Sequence, residues 1–340
     1  NTNSTYNTAV GERSMFTNTT GSQNVAMGRF ALFSNVTGHR NVAIGNRSLY
    51  DNEGDENVAI GDSSMYNNQT GYLNTAVGRQ SLLALTSGFN NTGVGSSASS
   101  FITSGDYNTA VGRNCLDNIV TGNNNTAIGY GADVIGAGDA FTNTTALGYN
   151  ATVQASNEIR IGNSAISEIG GWATWTDVSD ARFKKDIKPN VPGLEFIRQL
   201  RPVTYHMDVE AIAAHLQEDY ERDDSGNMVY IAPDEATVKA RADKSAVLNT
   251  GFIAQEVEAA AKNIEFDFYG VNPPSNGDDT YGLRYAIFTV PLVKAVQELS
   301  QENENLKSIL SGQAEVLGQY KEELQALRSE IELMKQKIQN

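Results

Sequence analysis

One pair of residues in this 340-residue chain has the spacing for covalent chemistry: a serine followed five positions later by a lysine. The pair lies in Ser179-Asp180-Ala181-Arg182-Phe183-Lys184-Lys185-Asp186-Ile187. A lysine amine beside a serine hydroxyl can take its proton as general base and make the oxygen a nucleophile without histidine. The amine must then be neutral near pH 7, about 3 units below its ordinary value of about 10.4. That costs about 4 kcal/mol, to be supplied by burial and by repulsion from Arg182 and Lys185. The same residues also read as a Ser-Asp helix cap opening a basic, solvated segment. Spacing alone weighs toward the cap and leaves both readings open.

Other chemistry is thinly represented. A single cysteine, Cys115, excludes a disulfide framework and a multi-cysteine zinc site. His39, His206 and His215 are far apart and lack the spacing of a histidine metal cluster, so neither metal nor cofactor is expected. Glu218, Asp219, Glu221, Asp223 and Asp224 cluster in a way that suggests a metal site or a glycosidase pair, but such a run is expected to be a solvated face. The net charge of −15 argues against a nucleic-acid surface, which needs clustered Lys and Arg. No apolar run approaches the roughly 18 residues of a membrane span.

The elements that position Ser179 and Lys184 fall into two kinds. Before residue 160 the chain is rich in Asn, Thr, Gly, Ser and Ala; its first lysine is Lys184 and its first proline Pro189. A phrase recurs as Asn7-Thr-Ala-Val-Gly11, Asn24-Val-Ala-Met-Gly28, Asn41-Val-Ala-Ile-Gly45 and onward to Asn125-Thr-Ala-Ile-Gly129, with a degenerate copy at Thr144–Gly148. The period is about 17 residues, the mark of a stacked repeat. Three residues past each phrase stands a small residue: Ser14, Ala31, Ser48, Ser64, Ser81, Ala98 or Cys115. The lone cysteine thus fills a Ser/Ala slot and reads as a small buried side chain. Large apolar pairs such as Met15-Phe16 and Leu32-Phe33 follow, then a glycine turn, so each unit predicts two short strands and two turns. Alternation puts Val10, Met27, Ile44, Ile60 and Val77 on one face, expected to form the continuous apolar strip of the stack. The Asn, Ala and Gly positions fall on the other, which suits close approach of neighbouring chains. The fold expected for residues 1–150 is a parallel β-roll or solenoid.

From Val296 a heptad runs to the C-terminus, with Val296, Asn303, Leu310, Leu317, Leu324, Ile331 and Ile338 at a and Leu299, Leu306, Gln313, Tyr320, Leu327 and Met334 at d. Sustained over about six heptads, this predicts a coiled coil. The expected layout is mixed: an all-β roll over 1–150, a connector over 151–178, a small α+β domain over 179–290 and a helical coiled coil over 291–340.

The repeated phrase resembles the head repeats of trimeric autotransporter adhesins and of phage tail fibres, in which three chains pack around one axis. Ser-Asp-x-Arg-x-Lys-x-x-Ile is similar to the opening signature of the intramolecular chaperone domain of phage endosialidases and tail fibres. Further landmarks are Gly193-Leu-Glu-Phe-Ile197, Leu200-Arg-Pro-Val-Thr-Tyr205, Gly251-Phe-Ile-Ala-Gln-Glu-Val257 and Tyr281-Gly-Leu-Arg-Tyr285. That family also has a eukaryotic membrane-bound transcription-factor branch; with no span or DNA-binding segment in view, the fibre branch fits. The resemblance implies a single-turnover self-cleavage in which Ser179 attacks the carbonyl of Val178, with Lys184 as general base and no activity on external substrates. Asp180, Arg182 and Phe183 match the signature as positioning residues, and Gln255 and Glu256 match a landmark. The implied protein is the end of a homotrimeric tail fibre of a virion or injection system, exposed outside the cell after assembly. Its partners would be itself, upstream fibre or baseplate segments, and a host-surface receptor. Because the chain opens on Asn1 in mid-repeat, more repeats or a shaft are expected before it. The alternative is a cell-surface trimeric adhesin whose C-terminal domain stays attached as a permanent trimerisation cap.

Overall fold

A computed structural model describes residues 4–135, 140–223 and 225–339, with side chains through residue 335. The described chain forms two compact units: Asn1–Trp175 with Thr204–Asn249 and Pro274–Thr280, and Thr176–Val203 with Thr250–Pro273 and Tyr281–Asn340.

In the first unit each repeat becomes one coil of a parallel β-solenoid. Ten three-residue strands, from Thr8–Val10 through Val25–Met27 and Val42–Ile44 to Ile159–Ile161, stack as one sheet in sequence order. Ala26 pairs with Ala43, Ala43 with Ala59 and Ala59 with Ala76. One coil is a residue short, yet register holds, because the deletion falls in a turn. Asn35 donates to the oxygen of Gly38 three residues on, whereas Asn52 donates to Gly54 only two residues on.

Two features of the coil differ from the sequence expectation. The alternation is present but its sense is reversed: Ala26, Ala43, Ala59 and Ala76 are fully buried, while Met27 and Ile128 are 44% and 45% exposed. The Asn and Ala positions therefore line the interior, and the row Val10, Met27, Ile60, Val94, Val111 and Ile128 lies outside. The second difference explains the first. The segments expected as second strands are turns, and in them Leu32, Leu49, Met65 and Leu82 hold left-handed backbone at φ between 47° and 53° while pointing inward, fully or almost fully buried. These side chains fill the coil, leaving room opposite only for alanine. Left-handed backbone costs about 1–2 kcal/mol per residue, and burial of a leucine side chain, about 1.5–3 kcal/mol, offsets it. The residues that follow, Phe33, Tyr50 and Tyr66, form an outer ladder of stacked rings with centroids 5.0 and 4.9 Å apart.

Buried asparagines tie coil to coil. Asn24 Oδ1 accepts from the backbone N of Asn41, and Asn24 Nδ2 donates to the oxygen of Gly38, both at 2.8 Å. A second ladder links Asn35 to Asn18 and Asn52 to Asn35 at 3.0 Å, then Asn68 to Asn52. It stops where Leu85 takes the next slot, and Asn68 Oδ1 is left buried without a partner. The phrase-ending glycines are needed for closeness: Gly61 has φ +138°, and a Cβ there would stand 2.4 Å from the oxygen of Gly78 in the next coil.

Cys115 is buried in its Ser/Ala slot and donates to the Gly112 oxygen. Burial, with the nearby charges of Asp133 and Asp117, pushes its thiol up to about 12, so it is inert. Asp117 accepts from the backbone and hydroxyl of Ser100, and Asp133 accepts from the backbone of Asp117, Asn118 and Val134. Burial, then the charge of Asp117, pushes Asp133 up to about 8, and burial pushes Asp117 up to about 6. A carboxyl that holds its proton better folded than unfolded adds stability fully present below about pH 4, and that stability is lost as pH rises through 6 and then 8. The melting temperature is therefore expected to fall between pH 5 and pH 8. Asp117→Asn, which keeps the acceptor for Ser100, is expected to reduce that loss by about 1–3 kcal/mol in denaturant titrations at the two pH values.

The second unit is small. Phe196, Val257, Ala260, Ala261, Phe268, Val271 and Phe288 form its core, drawn from the short helix Leu194–Ile197, the helix Ala254–Asn263 and the residues leading into the C-terminal helix Thr289–Gln339. Gly193 is required by packing, since a Cβ there would lie 2.7 Å from the Ala295 nitrogen. The C-terminal helix begins seven residues before the expected heptad and runs 51 residues. Its heptad residues Val296, Leu310, Leu317 and Leu324 are exposed in the single chain. The side chain of Ile338 lies outside the described residues. Among the described residues no helix is long and apolar enough to cross a membrane.

Candidate functional site

The segment around the candidate bond is held by local hydrogen bonds rather than by a core. Asp180 caps a single 3-10 turn, Ala181–Phe183, accepting from the backbone N of Arg182 at 2.9 Å. Its other oxygen accepts from Arg182 Nε and Nη2 at 2.9 and 2.6 Å. The Arg182 guanidinium, and then the Arg182 backbone N–H, hold the Asp180 carboxyl below its ordinary value. Arg182 in turn lies over the Phe183 ring, 5.7 Å from its centroid.

With the cap supplied by Asp180, the neighbouring hydroxyl is left for other work. Lys184, the residue that closes the turn, donates from Nζ to Ser179 Oγ at 2.7 Å. The cap of the turn is thus Asp180, and Ser179 and Lys184 stand in hydrogen-bond contact beside it. The distance is that of an ordinary hydrogen bond, within the reach a general base requires. Val178, on the acyl side of the candidate bond, is 83% exposed, and Ser179 and Lys184 are exposed as well. In the same stretch of sequence Trp172, Trp175, Phe183 and Ile187 are all exposed.

Glu256 pairs with Arg201 through two bonds, one of them Arg201 Nε to Glu256 Oε2 at 3.1 Å. Two landmarks far apart in sequence, Leu200-Arg201-Pro202 and Gln255-Glu256, therefore meet in one ion pair. Gln255 is exposed on the same helix. None of the described hydrogen bonds or ion pairs of Glu256 reaches Ser179 or Lys184.

The acidic cluster is not the solvated face expected of it. Helix Val209–His215, the hairpin Tyr220–Arg222 with Met228–Tyr230, and helix Glu235–Ser245 pack with the solenoid in the first unit. Arg241, 1% exposed, donates to both oxygens of Asp219 at 2.8 Å and to Glu218 at 3.1 Å. The Glu218 side chain is fully buried. Its carboxylate accepts from the backbone N and the hydroxyl of Ser164, both at 2.6 Å. Glu221 accepts from Asn114 at 2.7 Å. Asp223 turns back on its own hairpin, and Asp224 lies outside the described residues. Glu218 and Asp219 sit inward because Arg241, 23 and 22 residues downstream, pairs with them, while Asp223 stays exposed; nothing local in the sequence signals that pairing. Among the described residues no group of three or more His, Cys, Asp or Glu is arranged to hold a metal ion.

Comparison with known proteins gave one match. Residues 179–264 fit the family model described as the chaperone of endosialidase, a span that opens on Ser179 and contains Asp180, Arg182, Phe183, Lys184, Gln255 and Glu256. No curated protein and no solved structure matched the chain. Residues 179–264 thus match the chaperone-of-endosialidase family, and in sequence they follow a parallel β-solenoid.

Proposed function

We propose that this chain is the C-terminal part of a homotrimeric tail-fibre-like protein of a virion or injection system. Its chaperone region templates assembly of the solenoid and is cut from it at Val178–Ser179. The observation that carries this reading is the 2.7 Å bond from Lys184 Nζ to Ser179 Oγ at the start of the family span. Neutral Lys184 takes the hydroxyl proton as Ser179 Oγ attacks the Val178 carbonyl carbon. The C–N bond breaks, the serine nitrogen takes a proton, and an ester joins Val178 to Ser179 Oγ. Water then hydrolyses the ester and completes the cut. The reaction happens once per chain, and no external substrate is involved.

Chain association supplies the burial that this chemistry needs. In a single chain the pair faces water, whereas the attack needs water excluded from the reacting groups. Covering Trp172, Trp175, Val178 and Phe183 would exclude it. Cleavage would then follow assembly, fixing it irreversibly after the slow non-local pairing of the shaft is complete. Intact mass under denaturing conditions tests this reading. Fragments corresponding to residues 1–178 and 179–340 are expected from the assembled protein. A single intact mass after assembly would overturn the cut and favour a permanent trimerisation cap on an adhesin.

A further inference from the structure

The excursion between Thr204 and Asn249 does something that a template to be discarded does not require: it grips the last coils of the solenoid through buried, charge-assisted bonds. We propose that this excursion is a docking arm that holds the C-terminal fragment on the shaft after the cut, so that cleavage and dissociation are separate events. The inference rests on the cleavage reading above.

The grip spans several coils, all on the shaft side of Val178–Ser179. Glu218 holds the backbone N and hydroxyl of Ser164, and its own carbonyl accepts from Asn150 Nδ2. Lys244 Nζ donates to the carbonyls of Ser164 and Ile166 at 2.7 and 2.8 Å. Ser164 is therefore seized from both sides, its donors by a carboxylate and its carbonyl by an ammonium. Two coils before Asn150, Arg222 Nε donates to Asn118 Oδ1 and Glu221 accepts from Asn114. A second loop, Pro274–Thr280, joins in: Gln154 Nε2 donates to the Asp278 carbonyl at 2.7 Å, and Asn276 donates to the Gln154 carbonyl at 2.8 Å.

Together with weaker bonds to Arg113 and Gln154, these make about a dozen hydrogen bonds per chain, within the roughly 10 ± 5 of a specific protein–protein interface. Cutting one peptide bond outside this contact removes none of them. Separation strips buried Glu218 of both Ser164 donors, while its ion pair with Arg241, internal to the arm, is kept. Because most of the bonds involve a charged partner, the grip weakens with salt where it meets solvent.

The test uses the full chain with a recognition site for a sequence-specific protease placed in the exposed stretch 171–177, so that the cut can be made whether or not the chain cuts itself. After cutting, size-exclusion chromatography in 0.1 M salt is expected to show the two fragments eluting together. Ser164→Ala, on the shaft side, and Lys244→Met, on the arm side, are each expected to raise the dissociation constant of the cut pair at least tenfold. Thermal melts of the uncut variants verify folding, and the two changes lie on opposite fragments, so misfolding of one does not remove the test. Fragments that separate on cutting in the parent protein overturn the proposal, as do variants that hold together as well as the parent. Co-elution after protease cutting, in a chain that never cuts itself, would refute the cleavage reading alone.

Discussion

Ser179→Ala and Lys184→Ala are each expected to yield one intact 36.7 kDa chain on a denaturing gel under conditions in which the parent runs as two fragments of similar size. The two changes fail for different reasons, and that difference is the informative part. Without Oγ there is no nucleophile, and no pH restores the cut. Without the Lys184 amine the hydroxyl remains but keeps its proton, so the barrier rises by the value of a positioned base, about 10²–10⁴ in rate. Lys184→Arg separates a base from a mere hydrogen-bond donor. An arginine can still donate to Ser179 Oγ, but its guanidinium does not lose its proton in water, so it is expected to be as inactive as alanine. If Lys184→Arg cuts like the parent, the lysine only positions the serine and the proposed base is wrong. Asp180→Ala is expected to be milder. It removes the cap of a single turn and the anchor of Arg182, which loosens the geometry without removing a reacting atom. The cap is worth about 0.5–2 kcal/mol in ordinary helices.

How much of this was legible in the sequence depends on the distance between the residues involved. The coil, its 17-residue period and the small-residue slot of Cys115 could be read directly, because every determinant recurs within one repeat. The sense of the strand face could not. Alternation states only that Ala26 and Met27 point opposite ways, and which way is inward depends on what occupies the far side of the coil. Leu32 and Leu49 decide that from left-handed backbone, a conformation that leucine ordinarily avoids and that no pattern of apolar residues announces. Spacing left the contact of Ser179 with Lys184 open; one turn across five residues brings Nζ to Oγ. Arg201 stood in a recognised landmark without a role until its partner Glu256, fifty-five residues away, was in place. The arm was misread for the same reason: Glu218 and Asp219 look like solvent-facing acids unless Arg241 and Ser164 are known to meet them.

The second large effect expected concerns association. The single chain leaves two long apolar surfaces uncovered: the outer row of the solenoid sheet, with Met27, Ile60, Val94, Val111 and Ile128, and the heptad stripe of the C-terminal helix. A 51-residue helix is about 75 Å long, and carrying such a stripe alone is unfavourable, since each leucine buried against a partner contributes about 1.5–3 kcal/mol. Self-association, proposed above as a trimer, would cover each such surface. The parent is therefore expected to sediment as a trimer, at about three times the chain mass of 36.7 kDa. Leu310→Lys together with Leu317→Lys places six ammonium groups in two successive a layers of such a trimer, and is expected to shift sedimentation toward the monomer at micromolar concentration. The same variant should also lose the cut at Val178–Ser179, although neither substitution lies near that bond in sequence, because the serine–lysine pair depends on association for its burial. A monomeric parent would sink the trimer, and a monomeric variant that still cuts would separate cleavage from assembly. Asn303 gives a finer reading of the same helix. A polar residue at a sacrifices stability for register, so Asn303→Leu is expected to raise the melting temperature of the associated helices while broadening the mixture of assemblies seen by sedimentation.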